Sequence, residues 1–588
     1  MNEFELIDRA VLEGREPIAT SAEGECFLKG LNQMCTQNFT GARKLFDSLA
    51  MQTQSPVVWL HAGQARHASG DAQAALVAFR QVKEPCLRAR RLNGEGVCLH
   101  QLGNPTEAVK ILRQAIDADF AGPSARINLA VALQASGDHS CAWNELSEIS
   151  NEQLGLEELR LKLRLAQEIS NFVAVEVCAY HLLERVPEDA EGAFALARAL
   201  SSLQRPDVEK TTLNLLSQHP SHPGLIEIAA SVLSNAGRFE HARALLAVAM
   251  RAVSPPTLHY AMAMAEYRAG KLDRAYALLS EKFAYDLKLQ PSIKQPLTVP
   301  RQKLQHMLDQ MEVMHRRGTL PNAQAALSPV LTSILNDNLI NATKITLPPS
   351  SSSLKAVCRL LADRQQAKEP QLDEVLAERD WEGVVETFRN QTVPFLVIDD
   401  LLTPKALMAL HGFLMDSQVW TRSYERGYEA TFLPTGFHSR TLLRAAHELE
   451  TRLVNRLAPG ASLAQAWAFQ HHGNGQGVNL HADFAQLNIN FWITPDSASP
   501  EQKGGGLRVY DKPAPNDWDF SDYNRNVDTM YAFLKKQRAS YQDVAYRCNR
   551  AMIFDPRYFH ATLPMHFGKA FDQRRINVTL LYGSRLQA

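Results

Sequence analysis

No CxxC pair occurs among the eight cysteines, which are scattered at 26, 35, 86, 98, 141, 178, 358 and 548. In a chain of 588 residues that spacing excludes a zinc ribbon or disulfide framework, and reduced, mostly buried thiols are expected. No apolar run approaches the roughly 20 residues a membrane helix needs. The opening MNEFELIDRAVLEGREP is acidic and lacks an apolar h-region, so no secretory signal is expected and a reducing cytoplasm is the default location. Net charge is missing too. Lys+Arg number 62 against 63 Asp+Glu, and a balance of −1 offers nothing to nucleic acid or to an acidic membrane. What remains is an ordinary globular composition in a chain long enough for two to four domains.

The first half is periodic. Gly70, Gly103, Gly137, Gly237 and Gly270, with Gln37, Ser170 and Gln204 between them, mark turns spaced 33 or 34 residues apart. Five residues after six of these turns stands alanine (42, 75, 108, 142, 242, 275), with Val175 and Glu209 the departures. Seven before them stand Gly30, Gly63, Gly96, Ala130, Ala197, Ala230 and Ala263, with Leu163 the exception. Large apolar residues such as Phe46, Phe79, Leu112, Leu146, Leu246 and Leu279 follow nine after. The pattern predicts helix pairs joined by tight turns, with small residues where two helices cross and large ones filling the space between units. It resembles the tetratricopeptide repeat over about residues 20–283. That resemblance implies an all-α superhelix of about eight repeats, the fifth and sixth (158–219) degenerate, with a protein or peptide partner in its groove. Asn128 matches a groove-facing asparagine of the family, while Gly94 and His61 hold the same place in neighbouring repeats, so a regular clamp for a peptide C-terminus is not expected.

From 284 to 390 the pattern loosens into a helical connector. QPSIKQPLTVP is broken by prolines and PPSSSS (348–353) reads as a flexible joint. Between them one amphipathic helix is expected, with Leu304, Met307, Leu308 and Met311 as a core or bridging stripe. VPFLVIDDLL reads as a buried strand, followed by a helix with Pro404 in its first turn, and opens the last domain at 391–588.

That domain is written in short β-runs: AWAFQHH, VNLHAD, LNINFWI, LRVYD, AMIFD and RINVTLLYG. Glycine-rich turns separate them, among them GNGQG and the Gly504–Gly506 run, which reads as a loop of close backbone approach. An antiparallel sandwich or barrel follows, with a loop and helix from 511–545 expected over one end. His481 and Asp483 at i and i+2 share one strand face. A lone HxD carries little, since about one arises by chance among 19 histidines. The ordered set carries more: His560 follows, then Arg575. Two imidazoles and one carboxylate leave coordination positions open, the donor set of a non-haem Fe(II) oxygenase. On the last run Arg575, Asn577 and Thr579 share one face, and an inward arginine suits a dicarboxylate.

The order HxD, distal His, then Arg followed four residues later by Thr resembles the 2-oxoglutarate- and Fe(II)-dependent dioxygenases, in their prolyl-hydroxylase-like branch. The resemblance implies a double-stranded β-helix (jelly-roll). His481, Asp483 and His560 would hold Fe(II), Arg575 with Thr579 would bind the distal carboxylate of 2-oxoglutarate, and O2 would be the second co-substrate. Asp483 favours hydroxylation over halogenation, since halogenating members carry a small residue there. His471 stands where the prolyl hydroxylases have a co-substrate-contacting tyrosine, and Trp492, Asn488 and Asn490 are further pocket candidates. Arg574 should face away from Arg575, and His472 and His566 read as exposed loop residues. Three readings follow: hydroxylation of a polypeptide recruited by the repeats, the same chemistry on a small molecule or glycan, or a repeat scaffold with a sensing, low-turnover oxygenase domain.

Overall fold

The computed structural model describes residues 2–118, 123–252, 256–289, 293–337, 342–472, 477–483, 485–499, 504–515, 518 and 520–583. Of the GNGQG turn only Gly477 falls among them, and Lys503 lies outside. The chain forms two compact units, Met1–Gly192 and Ala193–Ala588, and the division falls inside the degenerate stretch 158–219.

The first unit is an array of paired helices, from Ala22–Cys35 with Phe39–Thr53 to Leu156–Glu168 with Phe172–Arg185. All its turn residues take the left-handed conformation: Gly70, Gly103 and Gly137 at φ +88°, +80° and +84°, but also Gln37 and Ser170 at +58° and +59°. The degenerate repeat therefore keeps its turn without glycine. The small residue seven before the turn and the large one nine after it meet directly. A Cβ on Gly30 would lie 2.7 Å from Phe46, on Gly63 2.7 Å from Phe79, and on Gly96 2.4 Å from Leu112. The same large residue also reaches the next pair, since Phe79 would meet a Cβ on Gly94 at 2.5 Å and Phe46 stacks on His61. One ring thus fills both the crossing within a pair and the joint between pairs.

A helix ahead of the expected array, Glu3–Leu12, packs on this unit. Its buried Asp8 accepts from His61 Nε2 at 2.8 Å and from Arg90 Nη1 at 2.5 Å. Burial raises the Asp8 pKa, but the hydrogen bonds from His61 and Arg90 outweigh it and hold the carboxyl down at about 2. Asn128 is taken by Asn93, whose Oδ1 accepts from its Nδ2 at 2.9 Å.

The second unit carries the remaining helix pairs through Leu272–Asp286, with turn residues Gln204, Gly237 and Gly270 again at positive φ. The connector is more ordered than its composition suggests. Strands β1 (Leu297–Pro300) and β2 (Lys344–Leu347) pair antiparallel and share a core with three helices, built from Leu304, Met311, Leu331, Ile345, Leu354 and Val357 among others. The expected flexible joint is instead a helix start: Ser351 caps Ser352–Ala362, its hydroxyl accepting from the Leu354 N–H at 3.1 Å. Serine serves caps as readily as linkers, which is why composition misread it.

The rest of the second unit sets helices, among them Trp381–Arg389, Pro404–Asp416 and Arg440–Leu449, around antiparallel β-structure. Strands β3 (Phe395–Ile398), β4 (Arg422–Tyr424), β5 (Tyr428–Phe432), β6 (Leu463–His471), β7 (Leu487–Trp492), β8 (Leu507–Pro513), β9 (Tyr541–Val544), β10 (Ala551–Phe554), β11 (Tyr558–Thr562) and β12 (Arg575–Tyr582) form two sheets. The larger runs β3-β10-β7-β12-β6-β5-β4 and the smaller β11-β8-β9. Trp492, Met552 and Phe554 from the larger meet Leu507, Val509 and Val544 from the smaller, so the sheets pack face to face. β3 is an edge strand and only half-buried, not the buried strand its composition suggested. The insertion also differs from expectation. β8 runs on to Pro513, β9 rejoins the small sheet, and of the two short helices between them the first places Tyr523, and the second Met530 and Leu534, in one cluster with Tyr510 and Phe559 of that sheet.

None of the eight cysteines is in a disulfide, yet only Cys98, Cys178 and Cys358 are buried, so the expectation of mostly buried thiols fails. Among the described residues no helix is long and apolar enough to cross a membrane.

Candidate metal centre

His481 and Asp483 do not lie on a regular strand. Their segment runs beside β11 and pairs there through reciprocal bonds between His481 and His560, 3.0 and 2.9 Å. The next two N–H groups leave the ladder: Ala482 donates to Tyr523 O and Asp483 to Pro556 O, each at 2.8 Å. This bridge sets the two imidazoles face to flank, ring centres 4.2 Å apart.

Both histidines have their outward nitrogen tied down. His481 Nδ1 donates to Asn479 O at 2.7 Å and His560 Nδ1 to Tyr558 O at 3.0 Å. That leaves Nε2 of each ring as a lone-pair donor, the tautomer a metal needs. Asp483 completes the set, with Oδ1 3.9 Å from His481 Nε2 and Oδ2 3.5 Å from His560 Nε2. The three ligand atoms all lie within 4.8 Å of one another. Burial lowers the His481 pKa to about 4, helped by His560. Burial raises that of Asp483, but both histidines outweigh it and hold the carboxylate below its ordinary range.

Asn488 links this triad to the large sheet, its Nδ2 donating to Asp483 Oδ2 at 3.4 Å. The register pairs Thr579 with Asn490, Asn577 with Trp492 and Arg575 with His471, so these residues share one sheet face. Asn488 and Asn490, two apart on β7, both stand on this face. Asn490 Nδ2 donates to Thr579 Oγ1 at 3.2 Å. Arg575 is 1% exposed; its Nη1 donates to Asn577 Oδ1 at 2.9 Å, its Nε to the Gly505 carbonyl, and its guanidinium lies 5.7 Å from the Trp492 ring centre. Among the described residues no carboxylate pairs with it, and burial pushes its pKa down to about 10. Gly505 reaches it because φ is +69° and a side chain there would meet Phe567 at 2.6 Å. The Gly504–Gly506 run thus serves the close approach read from the sequence.

Four buried polar atoms on or beside this face make no hydrogen bond with a described residue: His471 Nε2, Asn488 Oδ1, Asn490 Oδ1 and Trp492 Nε1. Each such group costs roughly 1–3 kcal/mol if left unpaired. A polar ligand here would satisfy them.

No protein-family model matches the chain and no curated protein does. Solved structures similar to its helical part are tetratricopeptide repeat proteins. One from Parabacteroides merdae ATCC 43184 is 19% identical and covers 39% of this chain and 92% of its own, at a TM-score of 0.26. The C-terminal part of a repeat protein from Cytophaga hutchinsonii is 13% identical, covering 44% and 95% at 0.29. The Cut9–Hcn1 hetero-tetramer of the APC/C gives 12%, 48% and 69% at 0.27. Superpositions this loose carry no argument about activity or partner.

Arg574 turns to the opposite face, as expected, and pairs with Asp309. His566 is exposed. His472 is not the exposed loop residue its position suggested. It is tucked between Glu429 and His306, because the connector helix Arg301–Arg316 covers it. Sequence reasoning gave no role to Tyr546, whose half-buried ring packs on Trp492 and whose hydroxyl donates to Thr494 O. Nothing in its local sequence marks it. Asn577 was readable only as a face-mate of Arg575, not as the residue that holds the guanidinium.

Proposed function

We propose that the β region is an Fe(II)- and 2-oxoglutarate-dependent dioxygenase with the double-stranded β-helix arrangement, hydroxylating a polypeptide recruited by the helical repeats. The observation that carries the reading is Arg575. A guanidinium buried this deeply without a carboxylate among the described residues calls for an anionic ligand, and its face leads through Thr579, Asn490 and Asn488 to the His481–Asp483–His560 triad.

The residues fit the groups. Two Nε2 atoms with fixed tautomers and one carboxylate are the ligands non-haem Fe(II) takes, with positions to spare. When bound together, iron and 2-oxoglutarate supply oxidative decarboxylation: 2-oxoglutarate, O2 and a substrate C–H become succinate, CO2 and C–OH. The chain's part is positional. Arg575 takes the distal carboxylate in a bidentate fork and Thr579 adds its hydroxyl. Asn577 and the Gly505 carbonyl hold the guanidinium so that little side-chain freedom is lost on binding. His471 and Trp492 offer their unpaired nitrogens to the ligand while excluding water. Asp483 would supply the carboxylate among the iron's ligands, and with a carboxylate there hydroxylation is the expected outcome.

The test is anaerobic reconstitution of the full chain with Fe(II), then succinate formation and 2-oxoglutarate consumption on admitting air. His481→Ala and Asp483→Ala should abolish both. No turnover, coupled or uncoupled, by intact protein would leave a repeat scaffold. For the substrate, the Asp483→Ala full chain should retain polypeptides that wild type returns with a +16 shift by mass spectrometry.

A further inference from the structure

The connector helix Arg301–Arg316 has two buried faces. One, through Leu304 and Met311, belongs to the connector core. The other carries Lys303, His306 and Gln310, all buried, at i, i+3 and i+7. It lies on the large sheet's far side, against residues of the opposite parity to the Arg575 face: Glu429 on β5, His472 just after β6, and Arg574 before β12.

His306, Glu429 and His472 form a second cluster whose ligand atoms, like those of the triad, all lie within 4.8 Å of one another. Glu429 is fully buried. Its Oε2 accepts from Lys303 Nζ at 3.1 Å and from Ser423 Oγ at 2.8 Å. Its Oε1 accepts a long bond from Gln302 Nε2 at 3.3 Å and faces His472 Nε2 at 4.0 Å. His306 is 1% exposed, and neither of its ring nitrogens has a hydrogen-bond partner among the described residues; nor does His472 Nε2. Three unpaired imidazole nitrogens beside one buried carboxylate are costly as a packing arrangement. With one nitrogen from each ring, the two imidazoles and the carboxylate are three of the ligands a tetrahedral divalent ion takes.

We propose that His306, Glu429 and His472 form a second metal site, of zinc type, that pins the connector helix to the β region. Two imidazoles and one carboxylate oxygen suit zinc, with water in the fourth position. Ca2+ and Mg2+, which want six or more oxygens, are excluded. Lys303 plays the outer role, fixing Glu429 by its far oxygen so that the near one stays aimed at His472. Lys303 and Arg574 are the cations that face the site, and they weaken it. The ion is structural, on the sheet face away from Arg575, and the inference does not depend on the oxygenase reading.

Zinc stoichiometry of the full chain decides it. After stripping with chelator, Zn2+ titration and desalting, wild type should keep about two equivalents by elemental analysis, and the His481→Ala/His560→Ala protein about one. Adding His306→Ala should remove that one, and with it the zinc-dependent rise in melting temperature. If His306→Ala fails to fold, His472→Gln, at the solvent edge of the cluster, makes the same test. Co2+ in the remaining site should show tetrahedral d–d bands. No zinc in the His481→Ala/His560→Ala protein, or undiminished zinc after His306→Ala or His472→Gln, would overturn the proposal.

Discussion

Two clusters of imidazole and carboxylate lie on opposite sides of the seven-stranded sheet, and they differ in what holds them. At the inner one, backbone carbonyls fix both histidine tautomers and no cation touches Asp483 among the described residues. At the outer one the histidine nitrogens are free, while the carboxylate is locked by a buried ammonium. The first is preorganised for a ligand to come and go. The second is built into the packing, with one member on a helix that belongs equally to another core. Spacing of donors alone does not tell these apart; the partners behind the donors do.

The sharpest way to break the comparison is to remove each carboxylate. Asp483→Ala should reduce succinate formation to background, yet cost the metal-free chain less stability in denaturant titration than loss of the other carboxylate, because no buried lysine or arginine is left without its partner. Glu429→Gln should do the reverse: about 3–5 kcal/mol of stability lost, because Lys303 is left buried and unpaired, with the triad's own ligands intact. Equal stability losses would mean that the two clusters are alike after all. Arg575→Met comes next. It removes a charged hydrogen-bond donor worth about 1.5–3 kcal/mol, so the KM for 2-oxoglutarate should rise about 10- to 150-fold while Fe(II) affinity holds. Unchanged KM would sever Arg575 from the inner site.

A third imidazole–carboxylate contact serves as the control. Asp8 and His61 meet at 2.8 Å, but Arg90 closes the set and nothing is left unpaired there for a metal. With the folded carboxyl at about 2 against 3.8 unfolded, Asp8 contributes stability that is fully present above pH 3.8 and is lost as pH falls toward 2. The loss is about 2 kcal/mol at most. Asp8→Asn should flatten that acid limb in circular dichroism, and zinc should leave it untouched.

How much of this was legible depended on the distance over which a residue's role is written. The repeat register is local: a turn, a small residue seven before it and a large one nine after it recur within one helix pair, so the sequence located even the turns that lack glycine. There the register also exposes a small liability. Gln37 sits at φ +58°, and Gln37→Gly should stabilise the first unit by about 0.5–1 kcal/mol. The inner site was legible because the strand alternation of β12 puts Arg575 and Thr579 on one face whatever they pack against. The outer site was not. His306 reads as one polar residue on an amphipathic helix, and Glu429 lies more than a hundred residues away, so no period connects them. The same holds for His472, whose surroundings come from elements distant in sequence.

The connector helix also bears on how this protein can be divided. A fragment cut at residue 391, where the β-runs begin, would open the sheet's far face and leave Glu429 and Arg574 facing water without Lys303 and Asp309. By the same measure a cut at 293 would strip Tyr267 from Glu450 and Ser280 from His438, so the smallest piece worth expressing for crystallisation or turnover assays starts where the second compact unit does, at about residue 193.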